Sequence, residues 1–146
     1  MTRVDFYLLA GSSSIEEVTC ILTEKARQRG HSIHIRTASR QDAAMLDELL
    51  WTYKDTSFIP HRLAGEAGLL DTPVCIGWDE PKPEHGDVLI NMVQTMPLHA
   101  ASFNRVIEIV PARESERESA RERFRQYRDQ GYDLHHHPMG ASDAET

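Results

Sequence analysis

The chain has 146 residues, which is the length of one ordinary domain. With 40% hydrophobic and 27% charged residues its composition is that of a globular protein, and it excludes collagen-like, low-complexity and mostly disordered classes. The 23 acidic residues outnumber the 16 lysines and arginines, which gives a net charge of −7. This charge argues against a protein whose main activity is binding the DNA phosphate backbone.

The cysteine pattern and the length of the apolar runs indicate where in the cell the protein is located. Cys20 and Cys75 lie far apart in apolar stretches, so they form neither a metal-binding pattern nor a disulfide framework. No apolar run approaches the ~20 residues of a membrane span, and Asp5 comes too early for a signal peptide. The sequence therefore predicts a soluble cytoplasmic protein without a membrane partner.

The first half of the chain predicts strands alternating with helices. Residues 4–9 form a short apolar run typical of a buried strand, and a helix follows that is capped by Ser14 and ended by Gly30. Residues 31–36 alternate polar and apolar and predict a second strand. A second helix begins at Ser39, and its inward face is predicted to carry Ala43, Leu46, Leu50 and Tyr53.

The second half contains a long irregular segment and one long helix. Residues 51–73 have no sustained period, which is uncommon inside a domain and more often functional than a short turn. Strands are predicted over 73–78, 88–93 and 105–110, with a short helix over 98–103 and the longest helix over 113–130, ended by Gly131. We therefore predict one doubly wound α/β domain over residues 1–134, with a mostly parallel, Rossmann-like sheet between helices, and a flexible tail over 135–146.

The sequence carries no recognisable catalytic motif. The turn from Gly11 to Ser14 lacks both the further glycines of a dinucleotide fingerprint and the Gly-Lys-Ser/Thr of a phosphate loop. His61 has no neighbouring nucleophile, and the consecutive side chains of 135–137 (His135, His136 and His137) diverge instead of converging on one metal ion. We predict no catalytic site, no metal and no cofactor, and we interpret the three histidines as part of a solvated tail, with adventitious metal binding as the alternative.

The last helix carries a stripe of arginines. At 100° per residue, Arg117, Arg121, Arg125 and Arg128 fall within an arc of about 80°, with Phe124 beside it. One interpretation is a solvated face stabilised by pairs with nearby acids. The other is a recognition site for an acidic peptide, because arginine forks bind carboxylates and an adjacent apolar groove can accept an aromatic or aliphatic end.

Two runs of sequence are specific enough to suggest a family. Residues 58–66 read Phe-Ile-Pro-His-Arg-Leu-Ala-Gly-Glu, and residues 120–128 read Ala-Arg-Glu-Arg-Phe-Arg-Gln-Tyr-Arg. Shorter segments at 5–9, 46–51, 87–91 and 110–111 extend the likeness over residues 5 to about 134. On these segments the chain resembles the chi subunit of bacterial DNA polymerase III holoenzyme, a small accessory protein of the clamp-loader complex.

The resemblance implies a non-catalytic adaptor within a DNA-directed DNA polymerase assembly. Such proteins bind the acidic, phenylalanine-terminated tail of single-stranded DNA-binding protein and the psi subunit of the clamp loader, and they meet DNA mainly indirectly. The implied tail-binding residues are Val110, Arg121, Phe124, Arg125, Tyr127 and Arg128. The implied psi-facing residues are Trp51, Phe58, Pro60 and Leu63.

The ending of the chain departs from the resemblance. Residues 134–138, Leu-His-His-His-Pro, are less apolar than the ending expected of the family. Two other functions stay open as alternatives: direct contact of the arginine-rich helix with single-stranded DNA, and a nucleotide-dependent enzyme on a degenerate sheet. The missing phosphate-binding glycines and lysine count against the enzyme.

Overall fold

The computed structural model describes residues 2–11, 14–52, 61–63, 74–78 and 87–138. Its elements in chain order are β1 (Arg3–Leu8), α1 (Ile15–Gln28), β2 (Ile33–Arg36), α2 (Arg40–Thr52), β3 (His61–Leu63), β4 (Val74–Gly77), β5 (Val88–Asn91), a 3₁₀ turn (Ala100–Ser102), β6 (Arg105–Val110), α3 (Glu114–Asp129) and β7 (Asp133–Pro138). The described helices include none that is both long and apolar enough to cross a bilayer.

The seven strands form one sheet in the order β3-β4-β2-β5-β6-β1-β7, and every described pair of neighbours is parallel. One apolar core joins α1 and α2 to one face, where it includes Ile107 and Ile109 of β6. The second core joins α3 to the opposite face, where it includes Val106 and Val110 of the same strand. This architecture confirms the predicted doubly wound α/β fold with helices on both faces.

The helix boundaries follow the predicted local signals. The Ser14 hydroxyl accepts a hydrogen bond from the backbone N–H of Glu17 at 3.3 Å, and α1 is followed by Gly30 in the left-handed region at φ +84°. Ser39 accepts from the backbone N–H of Asp42 at 3.1 Å at the start of α2. The predicted inward residues Ala43, Leu46 and Leu50 are buried, whereas Tyr53 lies outside the described residues.

The prediction of an irregular segment over residues 51–73 is wrong for residues 61–63, which form β3 and pair in parallel with β4. The predicted second strand is present as β2. All four of its residues are buried, because a parallel sheet covered by helices on both faces leaves no solvated side.

The predicted flexible tail is also wrong for its first four residues. Residues 135–138 belong to β7, whose six residues pair in parallel with β1 from Arg3↔Asp133 to Leu8↔Pro138. The pairing partner lies about 130 positions away in the sequence, so no local pattern could report it. Residues 139–146 lie outside the described part of the chain.

Candidate functional site

A buried polar network sets the rotation of α3 about its own axis. Arg123 and Tyr127 lie on the inner face of the helix, where both donate hydrogen bonds to the Glu108 carboxylate of β6, from Nε at 3.1 Å and from the hydroxyl at 2.8 Å. Asn91 of β5 donates a third hydrogen bond to the same carboxylate at 2.9 Å. With these residues inward, the remaining arginines of α3 face outward.

An open groove with a volume of about 280 Å³ lies between α3 and the carboxyl ends of β1 and β6. Its apolar lining comes from two strands and the helix. The ring of Phe124 packs against Phe6 with centroids 5.4 Å apart. The lining residues are Phe6, Leu8, Val110, Ala120 and Phe124, with Arg117, Arg121 and His136 at its edges.

The outward arginines of α3 are paired with exposed acids of the same helix. Arg121 donates to Glu114 at 2.8 Å, Arg125 to Glu122 at 2.5 Å, and Arg128 to Asp129 at 3.3 Å. Exposed pairs of this kind contribute at most about 1 kcal/mol, so the guanidinium groups can exchange these acids for carboxylates of a ligand.

Arg117 is positioned differently from the other arginines of the stripe. Its guanidinium donates to the carbonyl oxygen of Leu9 at 3.2 Å, which holds the side chain across the end of β1. Together with Arg121 it gives the groove two cationic groups on the α3 side. The arrangement suits a ligand that combines an apolar end with carboxylates.

The groove brings together three of the six residues implied as tail-binding. Val110, Arg121 and Phe124 line it. Arg125 and Arg128 lie one and two turns further along the exposed face of α3.

Tyr127 requires a correction, because its side chain is 0% exposed beneath α3 and cannot touch a ligand in the groove. Burial and the neighbouring Glu108 carboxylate raise the pKa of the Tyr127 hydroxyl far above its usual range. Its hydroxyl donates to Glu108 and so attaches the inner face of α3 to β6.

Five groove residues were not in the implied set. Phe6 and Leu8 could have been found from their two-residue spacing in β1, which places them on one face of the strand, and Arg117 and Ala120 from the helical wheel. His136 could not be found in this way, because the sequence predicts a tail and not a strand at its position. It is exposed and lines the groove from β7.

The psi-facing residues are described only in part. Trp51, near the end of α2, is 50% exposed, and Met45 on the same helix is 65% exposed. Leu63 of β3 is partly buried against the core that α1 and α2 share. Phe58 and Pro60 lie outside the described residues. The psi-facing role stays a prediction for all four residues.

The crevice at the carboxyl ends of β2 and β5 is where doubly wound sheets bind nucleotides. Its polar lining includes the acids Glu16, Asp42 and Glu116, and the neighbouring Arg113 is already paired with Glu116 at 2.8 Å. Three carboxylates in this position disfavour a phosphate group. The crevice therefore gives no support to the alternative of a nucleotide-dependent enzyme.

Possible metal ligands and the two cysteines are the remaining candidates for chemistry. In the part of the chain that is described, no group of three or more histidine, cysteine or acidic side chains is placed to hold a metal ion. Cys20 and Cys75 are buried free thiols, and burial raises the pKa of Cys20 to about 12. A thiol with so high a pKa is a poor nucleophile at neutral pH.

Comparison with known proteins identifies the family of the chain. The family model described as DNA polymerase III chi subunit, HolC, matches residues 1–135. The DNA polymerase III subunit chi of Pseudomonas aeruginosa is 40% identical over 141 residues, covering 95% of this chain and 98% of the relative. The corresponding subunits of Haemophilus influenzae (35% over 132 residues, 88% and 92% covered) and Escherichia coli (33% over 141 residues, 92% and 96% covered) are also similar. The chain therefore belongs to the chi subunit family of DNA polymerase III, a component of DNA replication.

Proposed function

We propose that this chi-family chain is an adaptor that binds the acidic C-terminal tail of single-stranded DNA-binding protein in the groove beside α3 and the psi subunit of the clamp loader beside α2. The observation that best supports the tail-binding site is the groove itself. Apolar side chains of β1, β6 and α3 form its lining, and Arg117 and Arg121 flank it.

The size of the groove and its flanking charges suit a short acidic peptide with an aromatic end. Burying one aromatic ring contributes about 1.5–3 kcal/mol, and each charge-assisted hydrogen bond adds roughly 1.5–3 kcal/mol. Because association itself costs at least ~4 kcal/mol, one ring and a few arginine contacts give an affinity near micromolar. That strength is appropriate to a reversible link within a replication assembly.

The charge distribution of α3 favours a peptide over bare DNA. Of its five arginines, Arg123 is buried against Glu108 and faces away from the surface. The four outward arginines alternate with acids, including Glu114, Glu118 and Glu122. A long polyanion needs a continuous basic surface, whereas a short ligand needs only the two or three guanidinium groups beside the groove.

The two proposed binding sites lie on opposite faces of the sheet. Trp51 and Met45 belong to α2, which packs on one face, and the groove lies under α3 on the other. Exposed tryptophan and methionine side chains are typical of interface cores. An adaptor with this arrangement can hold both partners at the same time.

A peptide titration tests the tail-binding site. A labelled acidic peptide ending in Pro-Phe is followed by fluorescence anisotropy with the wild type, Arg121→Ala and Phe124→Ala. We expect micromolar binding by the wild type and a loss of at least tenfold in each variant. Arg29→Ala is the matched control, because Arg29 is an exposed arginine at the end of α1 on the other face, and its affinity should be unchanged. Undiminished binding by Arg121→Ala would contradict the proposed site.

A second titration separates the adaptor from direct DNA binding. The same proteins are mixed with a labelled oligothymidylate at low and moderate salt. The adaptor predicts weak binding that Phe124→Ala leaves unchanged. Tight, strongly salt-dependent binding of the bare strand would favour the DNA-contact alternative instead.

The psi-facing surface is tested by a single substitution. Trp51→Ala should weaken co-purification with the psi subunit and leave the peptide titration unchanged, since Trp51 lies on the opposite face from the groove. Unchanged co-purification would contradict the assignment of this surface.

A further inference from the structure

The three consecutive histidines of β7 divide between the two faces of the sheet. His135 contacts the Asp133 carboxylate at 3.1 Å, and His137 contacts the Asp5 carboxylate at 2.8 Å. The ring of His137 also stacks on Tyr7, with centroids 4.7 Å apart. Because side chains alternate along a strand, His136 lies on the opposite face from both.

His136 is the histidine of this group that faces the groove. It is in register with Phe6 of β1, and Phe6 and the neighbouring Leu8 both line the groove with it. Its imidazole is exposed and makes no hydrogen bond or ion pair with any described residue. The side chain is therefore available to a ligand.

The charged groups around His136 come from one element only. On the α3 side the groove has Arg117 and Arg121, the latter paired with Glu114. On the β1 side the lining residues, Phe6 and Leu8, do not titrate. The acids of a bound peptide would therefore lie between two guanidinium groups on one side and an imidazole on the other.

We infer that His136 is a specificity-determining contact for the acidic peptide. An imidazole N–H can donate a hydrogen bond to a carboxylate of the peptide, and the ring can pack against its aromatic end. The inference rests on the proposed tail-binding function and concerns the same groove.

The test is the anisotropy titration with the acidic peptide ending in Pro-Phe. One hydrogen bond changes affinity by roughly threefold to tenfold, so His136→Ala should bind the peptide more weakly than the wild type by that factor. His136→Glu, which places a fixed negative charge beside the carboxylates of the peptide, should bind more weakly still.

His135→Ala is the matched control, since it removes the adjacent histidine from the other face of the same strand. It should bind the peptide as tightly as the wild type. If His136→Ala also bound as tightly as the wild type, the inference would be wrong while the proposed function stood. Absence of binding by the wild type would overturn the proposed function together with the inference.

Discussion

The buried ion pair between Glu108 and Arg123 gives the most demanding test of how α3 is held. Glu108 is 0% exposed and Arg123 is 3% exposed, and their contact is 3.1 Å long. Arg123 also donates to the Ser119 hydroxyl at 2.6 Å, so the guanidinium is hydrogen-bonded on both the sheet side and the helix side. Removing Arg123 alone leaves a carboxylate in the core without its counter-charge.

Arg123→Met keeps much of the side-chain volume and removes the charge. We expect the free energy of unfolding to fall by about 3–5 kcal/mol, the usual cost of breaking a buried pair from one side. In a domain of this size each kcal/mol corresponds to about 4 °C in Tm, so the melting temperature should fall by roughly 12–20 °C. The control is Arg125→Met, whose partner Glu122 and own guanidinium are both exposed, and which should change stability by at most about 0.5 kcal/mol.

The pH dependence of the loss identifies its cause. Burial raises the pKa of Glu108, and the charge of Arg123 opposes that rise. Without Arg123 the folded protein binds a proton at Glu108 that the unfolded chain releases, so stability falls as pH rises from the ordinary glutamate pKa towards the raised one. The variant should therefore be less destabilised near pH 5 than near pH 8, and Arg123→Met with Glu108→Gln should recover part of the loss.

Urea unfolding near pH 5 and near pH 8 measures the free energy of unfolding of the wild type and of each variant, and so both the size and the pH dependence of the loss. Equal unfolding midpoints for Arg123→Met and Arg125→Met would refute the reasoning, because a buried pair and an exposed pair would then be equivalent. A loss that did not depend on pH would show that its origin is packing around the helix and not the uncompensated carboxylate.

Three further predictions concern Asp5, Cys20 and Gly131. Burial disfavours the charged form of Asp5, but hydrogen bonds from Arg3, His137 and Arg105 outweigh that effect and lower the pKa of Asp5. The wild type should therefore lose stability as pH falls from about 4 through that lowered value, and urea unfolding should show this loss to be absent in Asp5→Asn. The Cys20 thiol, with its pKa raised to about 12, should react with a thiol reagent at neutral pH only as fast as the protein opens. The measurement compares the rate of thiol modification in the native protein with the rate in the urea-unfolded protein. Gly131 follows α3 at φ +85°, so Gly131→Ala should lower the free energy of unfolding by about 1 kcal/mol. The control is Gly11→Ala, at a position without positive φ, whose free energy of unfolding should stay within about 0.5 kcal/mol of the wild type.

Local signals in the sequence predicted most of the elements on which the site is built. The cap at Ser14, the glycine after α1 and the apolar spacing of α2 each act within a few residues, and each is found in the structure. The strand over 105–110 was predicted with its observed bounds because four of its six residues are β-branched and apolar, two on each side of Glu108. Short-range preferences of this kind need no knowledge of the rest of the fold.

Features that depend on distant pairing could not be predicted in the same way. The β7 strand contains three histidines, which are not typical strand formers, and it is held in place by pairing with β1. The inward orientation of Arg123 has a similar origin, because an arginine among four other arginines on one helix looks solvated until Glu108 is found beneath it. In both cases the partner lies on another element.

The groove illustrates how these two kinds of information combine. The helical wheel predicts the arginine stripe and the adjacent Phe124, but an apolar groove also needs Phe6 and Val110, which meet only because β1 and β6 are neighbours in the sheet. Motif resemblance supplied Val110 without that geometry, and it also supplied Tyr127, which lies beneath the helix. A motif therefore reports which residues a site depends on, while the fold determines which of them a ligand can touch.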